Sequence, residues 1–234
     1  MNTPEQKRRL FEVVGENPQA HLSPYCWRSR MALAHKRLTF ASEPWHITEK
    51  QRIERSGGVT APVLVDGGMW VRDSWQIACY LEKTYPDFPL FGGAVAQALF
   101  CNKWADNTLH PLIFRAVIAE QFPLTARCDK IYYEERTQRK FKKSVEEIGA
   151  DPKPARQAVV QALGPLEDTL AEVSFLGGGT PDYSDYILFG TFQWVRVVSH
   201  RPFWSSDSVL HRWFEALLDA FDGMGRAQPP RSEL

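Results

Sequence analysis

The sequence predicts two domains in tandem, an α/β domain over residues 1–88 and an all-helical domain over residues 95–228. Three observations carry this reading. The residues up to Tyr85 read in the order β-α-β-α-β-β-α, and a Pro- and Gly-rich linker, "PDFPLFGG", follows them. Beyond the linker the apolar runs have helical spacing and length, and no strand signal of comparable strength recurs.

In chain order, "RLFEVV" (9–14) reads as a short strand ending at Gly15. After a polar loop, Ser23 and Pro24 open a helix: serine is a favoured N-cap, and proline in the first turn gives up an amide that had no partner there. "TFASEPW" alternates with period two and predicts a second strand. "ITEKQRIERSGG" predicts a short polar helix stopped by glycines. "PVLVDGGMWVRDSW" is the clearest local signal. Two apolar runs flank Asp66-Gly67-Gly68, which is hairpin chemistry, and Asp73-Ser74 then begin the helix "WQIACYLEKTY". In the second half, "AVAQALFCNKWADNTLH", "ARQAVVQALGPLEDTLAEV", "DYSDYILFGTFQWVRVVS" and "VLHRWFEALLDAFDG" predict helices, with His110-Pro111 interrupting the first long one. The highly charged residues 128–155 read as a solvated helix and loop.

Composition excludes several classes. Lys+Arg and Asp+Glu both total 28, so the basic excess of a nucleic-acid binder is missing. No stretch approaches the ~20 apolar residues of a membrane span, and no secretory apolar segment follows the polar N-terminus. Cys26, Cys79, Cys101 and Cys128 sit apart, without metal-ligand pairing or the density of a disulfide scaffold. A soluble cytoplasmic protein without a metal is the expectation.

"SPYC" (23–26) has the form of a redox C-P-Y-C motif whose first cysteine is Ser23. Together with "TAPVLVDGG", "VRDSWQIACYLEKTYPD" and "FLGGGTPDYSDYILFGTFQW", the stretch "SPYCWRSRMALAHK" resembles the soluble glutathione transferases. These pieces span most of the first domain and one helix of the second. Within that family, "DGGMWVRDSW" and "FDGMGR" are most similar to the etherase-related branch, which includes bacterial β-aryl etherases that cleave lignin-derived ethers with glutathione. The resemblance implies a thioredoxin-like first domain, glutathione as co-substrate, a hydrophobic aromatic electrophile in a site built by the helical domain, and a homodimer.

The resemblance also implies residue roles. Ser23, otherwise a plain N-cap, would sit beside the glutathione sulfur and stabilise its thiolate. Ala61-Pro62 matches the family's cis-proline site, whose backbone would pair with the cysteinyl part of glutathione; the other reading is a trans proline at a strand start. Asp73-Ser74 would receive the γ-glutamyl end, which is compatible with an N-cap pair. The glycyl carboxylate needs a cation, and Lys50, Arg52 and His46 are all near in sequence. For the electrophile, Tyr25, Trp104, His110, Phe114, Phe189 and Trp194 are candidates, although aromatics at helical spacing are equally core residues. Asp182 and Asp185 form a capping pattern rather than an acid–base pair. Cys26 reads as a small buried residue or, in a thiol-disulfide enzyme, as the reactive thiol. Two functions result: a serine-type glutathione transferase, with cleavage of β-aryl ethers as its finer form, and a non-catalytic relative that binds apolar ligands or a partner.

Overall fold

A computed structural model describes residues 8–92 and 94–233; the polar N-terminal segment falls mostly outside these. The apolar residues of "RLFEVV" build β1 (Arg8–Val13), and α1 (Pro24–His35) crosses over to β2 (Ala41–Trp45), parallel to β1. The hairpin pairs β3 (Val63–Asp66) with β4 (Met69–Arg72) about Gly67 and Gly68, whose positive φ values of 56° and 95° suit glycine. β3 also runs antiparallel to β1, so one mixed sheet forms in the order β2-β1-β3-β4. α2 (Ser74–Thr84) completes the domain. The polar helix expected at "ITEKQRIERSGG" is the tighter 3-10 form over Lys50–Ser56, stopped by Gly57 at φ 68°.

Among the described residues of the second domain the regular elements are helices, with one isolated antiparallel bridge between Phe175 and Gly178. The first segments are α3 (Val95–Trp104), α4 (His110–Gln121), α5 (Lys130–Phe141) and α6 (Val145–Gly149). They are followed by α7 (Lys153–Ala162), α8 (Gly164–Glu172), α9 (Tyr183–Val198) and α10 (Val209–Gly223). His110-Pro111 does not interrupt the first long helix. A π turn over Ala105–Leu109 carries α3 into α4, and its wider winding makes room for the Pro111 ring that a regular turn would press against the preceding backbone. "ARQAVVQALGPLEDTLAEV" is two helices rather than one, parted at Leu163, just before Pro165 withdraws an amide.

α9 is apolar on nearly all sides and almost wholly buried, as a central helix must be. Asp182 caps it by accepting from the Ser184 amide (2.7 Å), and Asp185 returns the bond to the Asp182 amide (3.0 Å) while also accepting from Leu176, Gly177 and the Trp213 indole. This is the folding element the spacing predicts. α1 packs along α9, and Gly190 makes the approach possible: a Cβ there would lie 2.5 Å from the Pro24 carbonyl oxygen. The linker is buried with them, since Leu90 and Phe91 join the core both domains share. A second, smaller core of Phe11, Cys26, Trp45, Ile53, Ala61, Val63 and Val65 also buries residues of the sheet. No helix of the described residues is long and apolar enough to cross a membrane.

Candidate functional site

Where the N-terminus of α1 meets the helical domain, a cleft of about 390 Å³ opens, within the range of small-molecule sites. Ser23, Tyr25, Ala61, Pro62 and Asp73 line it from the first domain. Ser23 caps α1 by accepting from the Cys26 amide at 3.3 Å, and its own hydroxyl hydrogen has the Cys26 thiol as a neighbouring acceptor, while the positive end of the helix lies behind it. The Ala61-Pro62 peptide is cis. Asp73, at φ 68°, caps α2 through the Trp75 and Gln76 amides (3.0 and 3.1 Å), both on one carboxylate oxygen.

The helical domain supplies the opposite wall. His110 Nδ1 lies 3.1 Å from the Tyr25 hydroxyl and its Nε2 lies 2.9 Å from the Thr191 hydroxyl. Burial, reinforced by the Arg28 and Lys140 charges, holds His110 well below the usual imidazole range, so the ring is neutral. Burial pushes the Tyr25 phenol up, and Asp106 adds to it. Arg28 is fully buried and donates to Asn102 (2.8 Å) and Asp106 (3.0 Å), with its guanidinium 4.7 Å from the Tyr25 ring centre. That network ties α1 to α3 and the π turn. Phe114 stacks on Phe141 (5.0 Å between centres), and Trp194, whose indole donates to Gln121, closes the floor.

Several expected residues lie elsewhere. Trp104 does not line the cleft; it packs against the shared core. Phe189 is core too, set between Trp27 and Phe214, because α9 has no solvent face at that position. Ser74 is buried, with its carbonyl accepting from the Tyr183 hydroxyl (2.8 Å). Lys50 donates to Tyr132, Arg52 pairs with Glu49 and Glu43, and His46 lies 3.7 Å from the Asp129 carboxylate, beside Cys128. None of the three lines the cleft.

The solvated reading of residues 128–155 needs correcting. α5 turns Tyr133, Arg136, Thr137, Lys140 and Phe141 toward the cleft, so its apolar positions belong to a wall. The period of Tyr133, Thr137 and Phe141 was the available signal, masked by charged residues between them. Cys26 is fully buried and its thiol is pushed up to about 12 by burial and by Glu12, so at neutral pH it is protonated and out of reach. That removes it as a reactive thiol.

Residues 22–84 match the family model of the glutathione S-transferase N-terminal domain, and residues 96–222 that of the glutathione S-transferase C-terminal domain. Among solved structures, the chain is similar to a glutathione transferase from Phanerochaete chrysosporium (23% identity over 94% of this chain and 93% of that one, TM-score 0.74). It is also similar to a glutathione S-transferase of Ceriporiopsis subvermispora in complex with glutathione (19%, 94% and 94%, 0.74). A third likeness is to FzlA from C. crescentus (18%, 93% and 90%, 0.67). At these identities the solved structures speak for the fold, whereas the two family models cover most of the chain. The chain belongs to the glutathione S-transferase family.

Proposed function

We propose that this protein is a serine-type glutathione transferase acting on an aromatic electrophile. The observation that carries the reading is the place of Ser23: at the N-terminus of α1, on the cleft, with a hydroxyl that can turn its hydrogen from the Cys26 thiol to a bound sulfur. The family membership and the glutathione held by the Ceriporiopsis subvermispora relative support glutathione as the thiol. Ala61 would pair with its cysteinyl backbone, and the first turn of α2, with the second Asp73 oxygen, would receive its γ-glutamyl end.

A free thiol of pKa ~8.5 is only a few per cent thiolate at neutral pH. A hydrogen bond donated to the thiolate contributes about 1.5–3 kcal/mol, and the helix N-terminus about 0.3–1 kcal/mol. At ~1.36 kcal/mol per unit, these lower the pKa by roughly one to three units. The gain in thiolate is capped at roughly thirtyfold, so holding the electrophile against the sulfur must supply the rest. In the finer form of the reading the electrophile is a β-aryl ether. The sulfur forms a bond to the carbon bearing the ether oxygen, the carbon–oxygen bond breaks with its electrons going to the aryloxide, and the aryloxide takes up the proton that the thiol released. A homodimer is part of the same reading, supported by the exposed Val95, Leu99 and Phe100 on α3.

The test is a titration with glutathione of wild-type and Ser23→Ala protein, following thiolate absorbance in the ultraviolet. Binding with a thiolate that the variant lacks is the expected result, and a panel of β-aryl ethers then tests the finer form. Binding without a thiolate, or no binding, would leave a non-catalytic protein of this fold.

A further inference from the structure

We infer that the electrophile carries an anionic group, a carboxylate or its equivalent, held by Arg136 and Lys140 at the mouth of the cleft. This rests on the transferase reading above and narrows its substrate class. The two residues are one helical turn apart on α5, and both line the cleft. Among the described residues neither makes an ion pair or a hydrogen bond, and the Lys140 ammonium lies 5.2 Å from the centre of the Phe141 ring. The carboxylates that share the cleft are already engaged. Asp106 is paired with Arg28 (3.0 Å), and Asp129 accepts from the Ile47 and Thr48 amides (2.9 and 3.0 Å). Asp73 lies across the cleft at the start of α2, occupied with its cap.

Two unpaired cations facing a cleft repel each other and gain from an anion between them. Arg136 offers a planar fork that a carboxylate meets with two parallel hydrogen bonds, and Lys140 adds a point charge beside it. Their placement also fixes which end of the ligand they serve. Tyr133 and Phe141, their neighbours on the same face of α5, both stack on Phe114 (6.5 and 5.0 Å between centres). The cations therefore border the aromatic wall. The ligand that satisfies both features has an apolar ring against Phe114 and an anion directed at α5. Reaction of such a ligand follows the same balance as before: the sulfur–carbon bond forms, the leaving group departs with its electron pair, and the anion takes no part in bond making.

The experiment is calorimetric binding of two synthetic conjugates, S-(carboxynitrophenyl)glutathione and S-(nitrophenyl)glutathione, with glutathione alone titrated alongside. Wild-type protein is expected to bind the carboxylated conjugate about tenfold more tightly than the one without the aryl carboxylate. In R136Q/K140Q that ratio is expected to fall toward one. Arg139→Gln, on the same helix but outside the cleft lining, controls for loss of a positive charge from α5 and keeps the ratio. All three side chains are exposed, so the variants are expected to fold. Equal affinities in wild type would overturn the inference. So would a double variant that weakens both conjugates by one factor, which would assign the cations to glutathione's own glycyl carboxylate. Glutathione binding with neither conjugate bound also overturns it. Failure of glutathione itself to bind would instead strike the transferase reading, and is seen separately.

Discussion

The Tyr25 hydroxyl lies 3.1 Å from Nδ1 of His110, a contact that joins α1 of the first domain to α4 of the second across the floor of the cleft. The ring involved is neutral because it is buried beside Arg28. An unfolded chain protonates the same histidine below its ordinary value of 6.5, while the folded one does not. The unfolded state therefore binds more protons as pH falls, and stability is lost on the acid side of 6.5, by at most about 1.4 kcal/mol per pH unit for this group. Denaturant melts between pH 7.5 and pH 5 (roughly spanning the imidazole range) should show that slope, and His110→Gln should reduce it. A residual slope is expected from His21 and His35, which burial shifts in the same direction.

Capping at Ser23 and the sulfur activation proposed for it are separable. Aspartate caps a helix as well as serine does, yet its carboxylate repels a thiolate. Ser23→Asp should keep stability within about 0.5 kcal/mol of wild type and lose the glutathione thiolate signal. Ser23→Ala should lose both, with about 1 kcal/mol of destabilisation from the missing cap. Thermal melts and the ultraviolet titration read the two effects independently.

Gly190 sets the distance between α9 and the start of α1. A methyl group there meets the Pro24 carbonyl at 2.5 Å, and neither backbone can rotate away. Gly190→Ala should cost about 1–3 kcal/mol of stability and weaken glutathione binding, since Ser23 moves with Pro24. Unchanged affinity in a destabilised variant would mean that α1 holds its place and α9 yields instead.

The cysteines should react in order of exposure. Cys128 is exposed and should be modified first by an aromatic disulfide reagent in the native protein. With its thiol near 12, Cys26 has only about one thiolate in ten thousand at pH 8 and no path to solvent; it should react only on unfolding. Cys26→Ala should leave transfer activity in place.

Local chemistry made much of this molecule legible in the sequence. Ser23-Pro24, Asp66-Gly67-Gly68 and Asp182 with Asp185 each state a backbone geometry through one or two side chains, and each is realised. What escaped depends on distant partners. Arg28 reads as one charge on a polar helix face, and only the approach of Asn102 and Asp106 makes it a buried tie. Trp104 and Phe114 look alike in the sequence, but one turns to the core and the other to the cleft. α5 was obscured by its own composition, because solvent and cleft both accept charged side chains.

The π turn between α3 and α4 has a consequence for anyone comparing or redesigning this region. It winds in a residue beyond the α-helical count, so a wheel drawn from Val95 to Gln121 as one helix falls out of phase at Ala105, and every position after it is displaced by about 100°. Ala105 thus divides two frames of reference. A relative lacking the turn would present a different side of the same helix to the cleft even where the letters agree, and grafting His110 or Phe114 into it would require the turn to be carried along.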